Sequence, residues 1–228
     1  MIENQPVLTI HRGHRRPDRA LIDAFRGAPT SHLVDAMNGR GAVDWRIKPL
    51  DPMNPNFCGP ALTAHSYPAD IYGMVGAAME AQAGDVIMCA NEYYTGTAVI
   101  GDLAAGMMRN KGVAAFVTDG LARDRAGIVA AGLPLFAMGI SPNSPASAGP
   151  GQVGAPVVLG GVRVCSGDIV VGDADGVVVI PLAEAGAVLT RLGSVRAAEK
   201  TAEEAVKAGA IDFAHWHEIL RQARIIQS

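Results

Sequence analysis

What the chain lacks narrows its chemistry first. Its 228 residues include only three cysteines, Cys58, Cys89 and Cys165, far apart and never in a C-x-x-C spacing, so neither a disulfide framework nor a structural zinc knot is indicated. A reducing compartment fits. Lysine is scarce: a Schiff-base mechanism would need Lys48, Lys111, Lys200 or Lys207 in a desolvated pocket, and Lys111, in a helix-stop turn beside Gly112, reads as solvated. No sign of charge dominates. Nineteen basic against 22 acidic side chains give a formal net charge of −3, so there is no bulk positive field to hold a polyphosphate, and nucleic acid is not an expected partner. The longest apolar stretch, 127–140, is broken by Gly132 and Pro134, and no run is clean enough to span a bilayer. The first 19 residues carry Arg12, Arg15, Arg16 and Arg19 without the apolar centre of a secretory signal, so the expectation is a cytoplasmic protein with no membrane partner.

Several familiar motifs are missing too. There is no P-loop, H-E-x-x-H or G-x-S-x-G, and the six histidines never take metal-ligand spacing. Gly149-Pro150-Gly151-Gln152-Val153-Gly154 has the letters of a dinucleotide fingerprint, but a Ser/Pro-rich loop precedes it and a hairpin pattern follows, which is the context of a plain loop.

What is present is alternation of short apolar runs with helical periodicity. Helices are expected over 21–25 and from Thr30 or Ser31, as cap, to Gly39; a Pro/Asn-rich loop over 49–60 precedes a strand at 61–67. A helix at 72–83, a strand at 86–88, a helix through Leu103, Met107 and Met108, and a strand at 113–118 make a β-α-β unit of the parallel, right-handed kind. One more helix at 121–131 and a strand at 135–138 follow. Then the pattern changes to hairpins, with Gly160-Gly161 and 172–176 as turns, before Pro181 opens a long helix to about 207 and a last amphipathic segment at 211–226. The sum is one mixed α/β domain over 1–228, with its core over about 20–181, a β-hairpin half and a helical C-terminal arm.

The stretch 101–124 is where chemistry is readable. Gly101-Asp102-Leu103 starts a helix straight after a loop, so the amides of Asp102, Leu103 and Ala104 can receive an anion, while Asp102 also reads simply as a helix N-cap. Twenty-two positions after Asp102 comes Asp124, in Arg123-Asp124 at the start of the next helix, after a strand that ends in Asp119-Gly120. Adjacent parallel strands direct their carboxyl ends at one crevice, so both helix starts should border one pocket. An arginine beside an aspartate there suits a 2-oxo acid, the one pairing its carboxylate and the other holding a divalent cation that polarises the ketone; the alternative is a surface ion pair.

Glu199 is a second oddity. It continues the apolar stripe Ala185, Val188, Leu189, Leu192, Val195 of the long helix, where a carboxylate needs an arginine, a metal shell or a neighbouring subunit, unless the helix overhangs the core and leaves it solvated.

At these residues the sequence resembles the RraA-like family, which contains the 4-hydroxy-4-methyl-2-oxoglutarate/4-carboxy-4-hydroxy-2-oxoadipate aldolases and the regulator of ribonuclease E activity A. The likeness runs over about 31–181 and is carried by Gly101-Asp102-Leu103-Ala104, Lys111-Gly112, Asp119-Gly120 with Arg123-Asp124, Pro134-Leu135-Phe136-Ala137, and Gly167-Asp168-Ile169-Val170-Val171-Gly172-Asp173-Ala174-Asp175-Gly176-Val177. It implies a swivelling β/β/α-type domain in trimers or dimers of trimers, with the site between subunits. It also implies a magnesium- or manganese-dependent class II pyruvate aldolase with oxaloacetate decarboxylase activity, acting on a small 2-oxo acid. By position, Arg123 binds the pyruvyl carboxylate or enolate oxygen together with the amides around Leu103 and Ala104. Asp124 is the direct metal ligand, Asp102 holds metal-bound water, and Glu199 comes from a neighbouring chain. The chain departs from the family at Asn91-Glu92-Tyr93-Tyr94-Thr95 and Ala69-Asp70-Ile71, which are expected to border the distal part of the substrate. The rival expectation is a non-catalytic regulator that docks a ribonuclease assembly through its surface.

Overall fold

The run Val86–Ala90 is buried at every position, which requires cover on both sides of its strand. In the computed structural model, which describes residues 6–226, that cover is present. In chain order the elements are β1 Leu8–Ile10, α1 Arg19–Phe25, α2 Thr30–Ala36, β2 Lys48–Pro49, β3 Phe57–Ser66, α3 Tyr72–Glu80, β4 Val86–Ala90, β5 Ala98–Ile100, α4 Asp102–Asn110, β6 Ala115–Thr118, β7 Leu121–Ala122, α5 Arg125–Ala131, β8 Leu135–Ala137, β9 Gly139–Ile140, β10 Gly151–Val153, β11 Val157–Leu159, β12 Val162–Val164, β13 Ile169–Gly172, β14 Val177–Ile180, α6 Ala185–Lys207 and α7 Ala214–Arg221. The protein is a mixed α/β structure.

A nine-stranded sheet runs β1-β10-β3-β4-β6-β8-β2, with β13 paired along the first half of β3 and β14 on the other side of β13. Its centre, β3-β4-β6-β8, is parallel. Alternation along β4 sends Ile87 and Cys89 into a core with Leu62, Phe116, Met108 and Ile128, beneath α3, α4 and α5. Val86, Met88 and Ala90 face the other way, into a core with Val117, Phe136 and the β11–β12 hairpin. A third cluster holds α1, α2 and α6 on the β13–β14 hairpin through Phe25, Leu33, Val188 and Leu192.

The expected β-α-β unit is present, β4 and β6 being parallel neighbours with α4 between them in the chain. Both hairpins form, β11 with β12 and β13 with β14, antiparallel. The glycine-rich stretch at 149–154 makes no strand-to-helix turn, but it is not a plain loop throughout, since Gly151–Val153 form β10, paired with β1 and β3. Other expectations need correction. The loop expected over 49–60 ends early, because β3 begins at Phe57 to pair with β13. Thr30 does not cap α2 with its own side chain: its amide and hydroxyl both donate to Asp173, each at 2.8 Å, which ties α2 to the turn after β13. The helix expected from Leu121 begins only at Arg125, because Leu121 and Ala122 pair in a second, three-stranded parallel sheet, β5-β7-β9. Lys111 is exposed, yet its ammonium donates to the carbonyls of Ala78 and Met79 at the end of α3.

Glu199 is also corrected. Val188 and Leu192 are buried and Val195 partly so, but from there α6 leaves the body and Glu199 is exposed. The stripe therefore imposes no burial cost on this carboxylate within the chain. Beyond α6, α7 keeps its apolar Trp216, Ile219 and Leu220 largely exposed. No helix among the described residues is long and apolar enough to cross a membrane.

Burial also decides thiol chemistry. It raises Cys58 to about 11 and Cys89 to about 12, so both are neutral thiols at pH 8. In native protein a disulfide reagent at pH 8 should modify Cys165, which is only half-buried, and reach the other two at the rate of unfolding. Three equally fast thiols would contradict this packing.

Candidate functional site

The two helix starts do meet. Gly101, Asp102, Leu103 and Ala104 at the start of α4, and Arg123 and Asp124 before α5, line one cavity of about 170 Å³, completed by the β5 residues, Ile71, Met74 and Pro145. That volume suits a small acid, since pockets for drug-sized ligands start at roughly 300 Å³. The strands that aim the two segments are not those expected. α4 follows β5 and α5 follows β7, so the carboxyl ends that open on the cavity belong to the small parallel sheet.

Gly101, not Asp102, is the N-cap of α4. Asp102 stands one residue on, and its Oδ1 accepts from the Leu103 amide at 2.7 Å, so that amide is engaged in this structure. Asp124 is the N-cap residue of α5, but its side chain caps no amide. It has left-handed backbone, φ 58°, a conformation that costs a non-glycine residue about 1 kcal/mol or more and gathers at functional sites. The turn points its carboxylate back to the cavity, where Oδ2 lies 3.2 Å from Arg123 Nε. Arg123 Nη1 donates to Ser144 Oγ at 2.7 Å. Both members of the pair remain partly open to solvent, 38% and 46%.

Two glycines make this arrangement possible. A Cβ on Gly101 would stand 2.7 Å from Asp124 Oδ2, and one on Gly127 would stand 2.3 Å from Asp102 Oδ2. Each carboxylate thus packs on a glycine of the segment that carries the other. Two carboxylates and a guanidinium on one cavity can bind a hard divalent cation and a small carboxylate side by side.

Of the segments expected at the distal end, only Ile71 lines the cavity. Glu92 pairs with His65 at 2.9 Å in a separate concavity, and Asn91 is buried. Asp70 is buried and accepts three amides, from Tyr72, Ala148 and Gly149. Glu199 does not line the cavity in this chain. Sequence reasoning missed Gly127 and Ser144. The spacing of Gly127, three after Asp124, carried the signal for the first; nothing local marked Ser144, which lies 21 positions from the arginine it holds.

Comparison with known proteins places the chain in a family. The profile of the RraA-like family, described as Aldolase/RraA, matches residues 30–179. The chain belongs to the RraA-like family. A relative from Halalkalibacterium halodurans, with the provisional name 4-hydroxy-4-methyl-2-oxoglutarate aldolase, is 35% identical over 185 residues, 81% of this chain and 88% of that protein. Among solved structures, an uncharacterised Pseudomonas syringae pv. tomato protein superposes with a TM-score of 0.75 at 27% identity, covering 86% of this chain and 96% of that one. The RNA-processing inhibitor RraA from Thermus thermophilis gives 0.62 at 27% identity, covering 68% and 93%.

The two glycine contacts are directly testable. Gly127→Ala should destabilise the protein by about 1–3 kcal/mol in urea unfolding, the range for inserting a methyl into occupied space. Gly106→Ala, on the same pair of helices but facing open space, should stabilise it by about 0.5–1 kcal/mol. Equal effects of the two substitutions would mean that Asp102 does not pack on Gly127.

Proposed function

We propose that this protein is a divalent-metal-dependent class II pyruvate aldolase that cleaves 4-hydroxy-2-oxo acids, such as 4-hydroxy-4-methyl-2-oxoglutarate, and decarboxylates oxaloacetate. The observation that carries this reading is the convergence of Asp102, Arg123 and Asp124 on one small cavity. The name of the Halalkalibacterium relative supports it.

The donors present fit Mg²⁺ or Mn²⁺. Asp124 offers carboxylate oxygens that cap no amide, and Asp102 offers a second carboxylate on the same cavity, a hard-oxygen set completed by waters. A cation bound there supplies Lewis acidity to a ketone oxygen. Arg123 receives the carboxylate of the pyruvyl moiety, since its guanidinium engages Ser144 through Nη1 and Asp124 through Nε and keeps its remaining donors for a ligand. When the C3–C4 bond breaks, its electron pair moves to C3 and is delocalised onto the C2 oxygen, and the fixed positive charge of Arg123 stabilises that enolate. The C4 hydroxyl gives up its proton at the open mouth of the cavity, where Asp102 orients water, and C4 leaves as a carbonyl. Protonation of C3 then yields pyruvate. With oxaloacetate the same bond breaks, carbon dioxide leaves, and the same enolate is protonated.

A second reading, a non-catalytic regulator that binds a ribonuclease assembly, is favoured by the likeness to the Thermus RNA-processing inhibitor. Pyruvate release separates the two. With magnesium, wild-type protein should release pyruvate from oxaloacetate and from 4-hydroxy-4-methyl-2-oxoglutarate, and Asp124→Ala should abolish it. Full activity in excess chelator would sink the metal mechanism. Arg123→Lys should lower kcat/KM by about 2 kcal/mol, roughly thirtyfold, because an ammonium cannot reproduce the planar fork.

We place the chain in homotrimers or dimers of trimers. Leu103 and Met107, beside the cavity, are 76% and 67% exposed, and α7 offers a further apolar face, surfaces that association would cover. The part of α6 that projects carries Glu199 away from its own body, and we assign it to the cavity of a neighbouring chain. Mixed Glu199→Ala and Asp124→Ala chains should then recover activity that neither has alone. A mixture that exchanges subunits yet stays inactive would return Glu199 to its own chain.

A further inference from the structure

Pro145, which lines the cavity, belongs to a segment that carries none of the family's signature residues. Residues 141–149, Ser-Pro-Asn-Ser-Pro-Ala-Ser-Ala-Gly, contain no helix or regular strand, yet they are fastened along their length. At one end the Ser141 amide donates to the Ala122 carbonyl at 2.9 Å, just before Arg123. Next, the Asn143 side-chain amide donates to the Gly96 carbonyl at 3.0 Å, and the Asn143 carbonyl accepts from the Ala98 amide, also at 3.0 Å. The Ala146 amide reaches the Ala69 carbonyl at 2.6 Å, with Ala69 itself in left-handed backbone, φ 65°. At the far end one oxygen of buried Asp70 accepts from the amides of Ala148 and Gly149 at 2.7 and 2.9 Å, while the other accepts from Tyr72 at 2.8 Å at the start of α3. A carboxylate spent on three backbone amides is an expensive fastening for a surface loop, and it secures the end of the strap that follows Pro145, the strap residue that lines the cavity.

Between the fastened points, Ser144 Oγ accepts from Arg123 Nη1. On the other side of the guanidinium, Asp124 faces Nε. A long, half-exposed arginine has several rotamers of similar energy, and a neutral acceptor on one nitrogen opposite a carboxylate on another selects one of them. The hydroxyl adds no negative charge to that of Asp124.

On the 2-oxo acid reading given above, we propose that Ser144 is a positioning residue that holds Arg123 ready for the substrate carboxylate, and that the fastened strap 141–149 fixes Ser144 in place. The role belongs to the hydroxyl, so threonine should replace serine and alanine should not. It also belongs to the strap, so loosening the strap at a distance from Arg123 should act in the same direction.

The test uses oxalate, a planar dianion shaped like the pyruvate enolate, titrated calorimetrically into the full-length protein with magnesium, alongside oxaloacetate decarboxylation. Ser144→Ala should weaken oxalate binding about three- to tenfold, the discounted effect of one partly exposed hydrogen bond to a charged group, and should raise KM by a similar factor with little change in kcat. Ser144→Thr should restore both. Asn143→Ala, which frees the exposed side-chain contact with Gly96 and touches neither Arg123 nor the metal carboxylates, should shift oxalate affinity the same way and speed hydrogen exchange at the Ala146 amide. If wild-type protein binds oxalate and Ser144→Ala binds it equally well, the positioning role is wrong while the functional reading stands. If wild-type protein neither binds oxalate nor releases pyruvate, the functional reading fails and takes the positioning role with it.

Discussion

The carboxylate of Asp119 joins two places where the chain changes sheets. The parallel strands β4, β6 and β8 lie side by side, and each runs on into one strand of the small sheet, β5, β7 and β9, in the same order. Between β6 and β7 there are only Asp119 and Gly120, and Asp119 Oδ1 accepts from the amide of Asn91, the residue that follows β4, at 2.6 Å. Asn91 in turn donates from its side chain to the carbonyls of Ser66 and Tyr67 at the end of β3. Asp119 is buried, and desolvation pushes its carboxyl up while the Asn91 amide pulls the other way. Gly120 is needed beside it, since a Cβ there would stand 2.7 Å from Asn91 Oδ1. This knot keeps the small sheet in line with the large one.

The small sheet in turn makes the site. Its strands are two or three residues long and would not persist alone, so their pairing is a consequence of the larger core that delivers them. Once paired in parallel, β5 and β7 release the chain on the same side, and Asp102 and Arg123-Asp124 emerge next to each other. The glycines then let the two segments close: Gly101 against Asp124, Gly127 against Asp102. Asp124 itself keeps left-handed backbone where the chain leaves β7 for α5.

Much of the signature that relates the chain to its family is structural rather than chemical. Asp168 accepts from the amides of Cys165 and Leu182, and Asp173 from Thr30 and Asp175, so these acids hold hairpin and helix together. Lys111 closes the end of α3. Only Asp102, Arg123 and Asp124 among the motif's charged residues turn to the cavity.

Local pattern was enough for whatever local forces decide. The alternation of short apolar runs with helical spacing, the Gly160-Gly161 turn and the parallel β4–α4–β6 crossover were legible because propensity, turn chemistry and burial all agree there. The grouping of Asp102 with Arg123-Asp124 was legible from the two helix starts, although the strands that aim them are β5 and β7 rather than the pair expected. Three things were decided only in the folded chain. Leu121 and Ala122 continue a helical pattern, but pairing with β5 and β9 makes them a strand, because a partner's hydrogen bonds override a two-residue preference. Glu199 continues an apolar stripe, but the stripe outlasts the surface it packs on, and periodicity carries no measure of where the core ends. Ser144 reaches Arg123 from a strap fastened by Asp70, 74 positions earlier in the chain, a contact that depends on distances between elements and therefore on the tertiary structure alone.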